Sequence, residues 1–174
     1  GRIAMILRRL KREDEAIETL LNAIRQKRDV PVFYTALASL YEDQKRFPQA
    51  EAILREGFKV LPDHIDLHYG LGILFEKTGR FEECIAAMRT ILKQDPDHAD
   101  ALNFIGYLYA DRGIHLEEAE RMIKRALELK PGNAYMIDSL GWVYFRTNRL
   151  AEAIRYLKEA SEALPEDAAI LEHL

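Results

Sequence analysis

The chain has 174 residues, a formal net charge of −4, 48% hydrophobic and 31% charged residues, and a single cysteine, Cys84. This balance suits amphipathic helices over a continuous core, and its charge gives no basic field for a phosphate backbone, which argues against a nucleic-acid partner. One thiol excludes an intrachain disulfide, and no apolar run approaches the ~20 residues of a membrane span, which argues against direct membrane insertion.

Along the chain, residues 1–30 open with a basic group, Arg2, Arg8, Arg9, Lys11 and Arg12, which reads as the solvated face of a first helix. The start shows no signal-peptide layout. Beyond it the sequence repeats. Pro62, Pro96, Pro131 and Pro165 stand 34, 35 and 34 residues apart. Ala16, Ala50, Cys84, Ala119 and Ala153 form a column of small residues at the same spacing. Leu37, Ala38 and Tyr41 recur as Leu71, Gly72 and Phe75, as Ile105, Gly106 and Tyr109, and as Leu140, Gly141 and Tyr144.

This Leu-Gly-x-x-Tyr pattern, followed by a small residue, an alanine and a proline, resembles the tetratricopeptide repeat. The resemblance covers nearly the whole chain. It implies an all-α, right-handed superhelical solenoid of antiparallel helix pairs. Four units are expected at 31–64, 65–98, 99–133 and 134–167, with a partial repeat over 1–30 and the start of another over 168–174. Both ends fall inside a unit, so a fragment of a larger protein is expected. The tight consensus looks like bacterial members of the family. Ala38, Cys84 and Ile91 depart from the family's usual small residues without threatening the fold.

Within each unit the first helix is expected to seal the core with one stripe, such as Ile137, Leu140, Gly141 and Tyr144, at helical spacing. The second helices supply Leu54, Met88, Ile123 and Leu157, and proline stops them. Asp63, Asp97 and Asn133 are expected to cap the first helices. Gly79 suits a left-handed turn. The third unit carries one extra residue in Asp111-Arg112-Gly113-Ile114-His115-Leu116, read as a tolerated turn variation.

The other stripe of the first helices faces the concave groove in the family that the chain resembles. It runs Val32, Thr35, Ser39 and Glu42, then Asp66, Tyr69, Ile73 and Glu76, then Asp100, Asn103, Tyr107 and Ala110, and finally Tyr135, Asp138, Trp142 and Phe145. Aromatic character rises toward the C-terminal half. A helix already sealed on its inner stripe does not need these rings for its core, and aromatics with a polar handle favour interfaces. The expected partner-binding set is therefore Tyr69, Ile73, Asn103, Tyr107, Tyr135, Asp138, Trp142 and Phe145, with the rings as anchors and Asn103 and Asp138 orienting a protein or peptide ligand. The competing reading is that the rings fill space between adjacent first helices.

Two ligand modes of the resembled family fit poorly. A carboxylate clamp needs basic partners, where this stripe offers Asp66, Asp100 and Asp138. An asparagine ladder fails because Asn103 has no counterpart at Thr35, Tyr69 or Asp138.

Asp63, His64, Asp66 and His68 form the one cluster of metal-like composition, but His68 belongs to an inner stripe and His64 to a helix start, so no metal is expected. His115 and His173 stand isolated in the sequence. Cys84 sits in the small column as a packing residue. No phosphate loop, nucleophile elbow or Cys/His pair is present, so neither a cofactor nor an enzymatic activity is expected. The expected role is a protein-interaction scaffold that supports assembly of a complex. The alternatives are a structural spacer or self-association module, joined through its truncated ends, and the substrate-recruiting arm of a larger enzyme.

Overall fold

The computed structural model describes residues 2–173, with side chains from residue 11 onward. Among the described residues every regular element is a helix: α1 (Arg2–Gln26), α2 (Pro31–Asp43), α3 (Phe47–Val60), α4 (Ile65–Lys77), α5 (Phe81–Gln94), α6 (Ala99–Arg112), α7 (Leu116–Leu129), α8 (Ala134–Arg146), α9 (Leu150–Ala163) and α10 (Ala168–His173). The stretch expected to hold a partial repeat forms one unbroken helix, α1. Lys11 and Arg12 are exposed on it, while the side chains of Arg2, Arg8 and Arg9 lie outside the described residues. The chain divides into two compact units, residues 1–87 and 88–174, with α5 running across the division.

In the first unit α2 packs on α3, and α4 packs on both. Tyr34, Leu37 and Leu54 are fully buried there, and Leu67 joins them from α4. In the second unit α6 packs on α7 and α8, α8 packs on α9, and α10 lies against α8 and α9. One core cluster joins Ala99, Leu102, Ala126 and Met136; another joins Ala134, Ile137, Ala160 and Ile170. Ile137, Leu140, Tyr144 and Leu157 are all buried, as the stripe pattern predicts.

The second helices α3, α5, α7 and α9 end at Val60, Gln94, Leu129 and Ala163, each two residues before its proline. Proline disfavours the α conformation in the residue before it, which fixes this register. Small residues on the first helices permit close approach. A β-carbon on Gly141 would lie 2.8 Å from the Leu157 side chain, and one on Gly106 would lie 2.6 Å from Ile123 Cγ1.

At α4 and α6 the cap falls one residue later than the expected Asp63 and Asp97. His64 Nδ1 accepts from the Asp66 amide at 3.3 Å, and His98 Nδ1 from the Ala101 amide at 3.2 Å. Asn133 Oδ1 accepts from the Met136 amide as expected, and Asp167 caps α10 in the same way. The capping position is thus the second residue after each proline. Asp97, one residue early, instead accepts from the Arg125 guanidinium at 2.8 Å.

A further column sits in the turns between paired helices. The Arg46, Arg80 and Arg149 guanidinium carbons stand 4.7, 4.2 and 4.1 Å from the ring centroids of Tyr41, Phe75 and Tyr144. Arg80 also meets Glu51 at 2.6 Å, and Arg149 meets Glu120 at 2.5 Å, so each joins its own turn to the preceding second helix. These pairs hold both carboxyl groups below the usual range; for Glu51 the Arg80 hydrogen bond is the largest cause, while for Glu120 burial pushes the other way and the bonds from Lys124 and Arg149 outweigh it. In the third turn the extra residue places His115 in the left-handed region at φ 47°, with its ring 4.9 Å from Tyr109. Gly113, at φ 69°, absorbs the rest of that turn at little steric cost.

Candidate functional site

The eight expected groove residues divide between the two units. Tyr69 and Ile73, on α4, line a shallow pocket of about 310 Å³ against α2, with Ala38, Ser39 and Gly70 beside them. The Lys77–Glu42 ion pair, 2.6 Å, also borders this pocket.

The second unit gathers the rest around α6 and α8. Asn103 and Tyr107 lie one helical turn apart on α6, as do Asp138 and Trp142 on α8, so each pair shares a face. Phe145 stacks on Trp142, with ring centroids 5.1 Å apart. Tyr135 and Phe145 remain 53% and 47% exposed, which is high for rings of this size. Tyr135 donates its hydroxyl hydrogen to Asp167 Oδ2 at 2.9 Å, at the start of α10. That bond raises the phenol's pKa and lowers the carboxyl's.

His173 is not isolated, contrary to the sequence reading. Its Nδ1 stands 2.7 Å from Asp138 Oδ2, and its ring stacks on Trp142 with centroids 4.4 Å apart and planes 21° from parallel. The Tyr107 ring lies 5.9 Å from the imidazole, tilted by 43°. The hydrogen bond to Asp138 raises the imidazole's pKa against the opposing effect of burial, with Asp138, Asp111 and Glu172 adding favourable charge. The first helix of one repeat therefore holds a side chain from the next. Space between first helices is filled here, but by the incoming histidine as well as by the rings.

That filling is incomplete in hydrogen-bond terms. Asn103 Oδ1, Asp138 Oδ1 and Trp142 Nε1 are buried with no hydrogen-bond partner among the protein's own groups. Asp138 is only 6% exposed. Left wholly unsatisfied such a group typically costs about 1–3 kcal/mol, and all three come from the stripe expected to meet a ligand.

The chemistry-bearing residues elsewhere have structural roles. His68 is half-buried against Phe58, ring centroids 4.7 Å apart, and burial lowers its pKa. Among the described residues no group of three or more His, Cys, Asp or Glu side chains could hold a metal ion. Cys84 is fully buried, and loss of solvation pushes its thiol up to about 12. No described helix is long and apolar enough to cross a membrane.

Comparison with known proteins agrees with the architecture. Tetratricopeptide repeat models match residues 41–106 and 115–172, and another matches residues 1–30. The chain is 32% identical over 170 residues to the TPR repeat-containing protein PA4667 of Pseudomonas aeruginosa, covering 97% of this chain but 29% of that protein's length. Among solved structures, PilF of Pseudomonas aeruginosa superposes with a TM-score of 0.70 at 21% identity, over 92% of this chain and 67% of that one. The thermophilic TPR protein TTC0263 of Thermus thermophilus gives 0.73 at 20% identity, over 99% and 94%. YrrB, a TPR protein with an unusual peptide-binding site, gives 0.67 at 18% identity, over 98% and 88%.

Proposed function

We infer the function from the premise that the chain belongs to the tetratricopeptide repeat family: it is a protein-interaction scaffold, and the α6–α8 face of its second unit binds a polypeptide segment of a partner. The observation that carries this reading is that Asn103, Asp138 and Trp142, all on the α6–α8 stripe, each bury a polar atom that no protein group pairs, while Phe145, stacked on Trp142, and Tyr135 stay about half exposed. A space-filling role alone gives no reason to bury a carboxylate oxygen, an amide oxygen and an indole N–H without partners. A bound segment would supply N–H donors to the two acceptors and a carbonyl to Trp142 Nε1. Tyr107 and Phe145 would flank the segment as apolar anchors, and Tyr69 and Ile73 would offer a smaller apolar contact in the first unit. The reading assigns binding, and no reaction, to these residues.

The test is a pull-down from lysate of the source cell with the wild-type chain and a Tyr107→Ala, Trp142→Ala double variant, matched for helicity. Partners retained by the wild type and lost by the variant support the reading. Identical partner lists would sink it.

A further inference from the structure

The place filled by His173 carries the chemistry of the bound partner further, and this inference rests on the reading above. Asp138 and Trp142 lie four residues apart on α8, so a buried carboxylate and an indole face are held in one fixed arrangement. His173 uses both at once, through its 2.7 Å contact to Asp138 Oδ2 and its stack on Trp142. It uses them incompletely. An imidazole directs its two N–H groups to opposite sides of the ring and cannot serve both oxygens of one carboxylate, and Asp138 Oδ1 is left without a partner. Asn103 Oδ1, from α6, is a second buried acceptor in the same condition.

We propose that the Asp138–Trp142 seat recognises an arginine side chain of the partner segment, with His173 as the chain's own occupant that the arginine displaces. A guanidinium is flat, so it can lie on the indole as the imidazole does, and its fork of N–H groups spans both oxygens of a carboxylate. Binding would satisfy Asp138 Oδ1 and leave a further N–H for Asn103 Oδ1. Trp142 Nε1 would then donate to a carbonyl of the same partner segment. Lysine brings a point charge without a flat face, and satisfies the seat less well. Asp111 on α6 and Glu172 on α10 add negative charge at His173, which offsets the Arg146 cation near the indole. Arg146, whose guanidinium carbon stands 6.0 Å from the indole centroid, donates to the Asp111 carbonyl oxygen.

Trp142 is the only tryptophan in the chain, so its indole N–H resonance reports this seat alone. Acetyl-Gly-Arg-Gly amide and its Lys and Leu counterparts are titrated into the wild-type chain and into His173→Ala. The arginine peptide is expected to shift the resonance most in both, to bind severalfold more tightly once His173 is removed, and to lose its effect in Asp138→Asn. The wild-type titration gives the same order of peptides, so the test does not depend on how the variants fold. Equal shifts from Arg, Lys and Leu would overturn the arginine seat while leaving a peptide-binding face in place. No shift from any peptide in His173→Ala would also overturn it, and the pull-down would then judge the broader reading independently.

Discussion

Replacing Gly106 with alanine tests whether helix contact or helix propensity governs stability in this array. Alanine at an interior helix position gains about 0.8–1.0 kcal/mol over glycine in intrinsic propensity. At Gly106 the new β-carbon would lie 2.6 Å from Ile123 Cγ1 and 3.0 Å from the Ala119 carbonyl oxygen. Ile123 is fully buried, and the carbonyl belongs to the backbone of α7, so α6 and α7 must separate. Overpacking of this kind typically costs about 1–3 kcal/mol, which leaves a net loss on the order of 1 kcal/mol. Gly70 is the internal control. Its β-carbon would meet only the ends of the Leu54 side chain, at 3.2 and 3.6 Å, and the Thr35 methyl at 3.9 Å. Small shifts of those groups offset the propensity gain, so Gly70→Ala is expected to stay within about 0.5 kcal/mol of wild type. Urea unfolding followed by circular dichroism, with the slope compared between variants, measures both. A Gly106→Ala chain as stable as Gly70→Ala would refute the account of close first-to-second helix contact.

Cys84 should stay unreactive toward a thiol reagent in the native chain and react fully in denaturant, since it is buried with its thiol pushed up to about 12. Arg149→Ala should cost about 1 kcal/mol, combining an exposed cation–π contact with a partly screened ion pair, and Arg149→Lys should recover part of it in urea unfolding. The His173 ring should titrate above the ordinary histidine value of about 6.5 and return toward it in Asp138→Asn, as read from its ring resonances. Because the folded value is the raised one, the pairing contributes fully below the unfolded value and is lost as pH rises through the folded one. The groups facing this histidine are Asp138 and Trp142 from α8, Tyr107 and Asp111 from α6, and Glu172 on its own helix, with the Arg146 guanidinium carbon 6.0 Å from the Trp142 ring centroid.

Much of the fold was legible because proline and small residues act locally. A proline fixes where each second helix stops, and the Leu-Gly-x-x-Tyr stripe fixes which face is sealed. The cap at His64 was misplaced by one residue because aspartate is the better-known capping side chain, whereas register from the proline decides which residue stands at the helix start. The aromatic–arginine column was visible at Arg46, Arg80 and Arg149 as a period of 34 and 69 residues, but a charged residue in a turn carries no periodic hydrophobic signal. His173 looked isolated because its partners lie in the preceding repeat. An offset of 35 residues from Asp138 was the available sign, and only the packing of α10 on α8 turns it into a contact. The α6–α8 stripe was readable as a set, but its unpaired atoms are a property of three dimensions.

The claim that the α6–α8 face holds a partner is tested most directly by a photo-crosslinking side chain placed at Phe145 and, as a control, at Ile154. Both positions are about half exposed, at 47% and 53%, and they lie on different helices of the same unit. The account predicts crosslinks to a partner protein from position 145, lost when Asp138→Asn and Trp142→Ala are added, and none of that pattern from 154. A partner captured at 154 and never at 145, or captured at 145 regardless of Asp138 and Trp142, would contradict it.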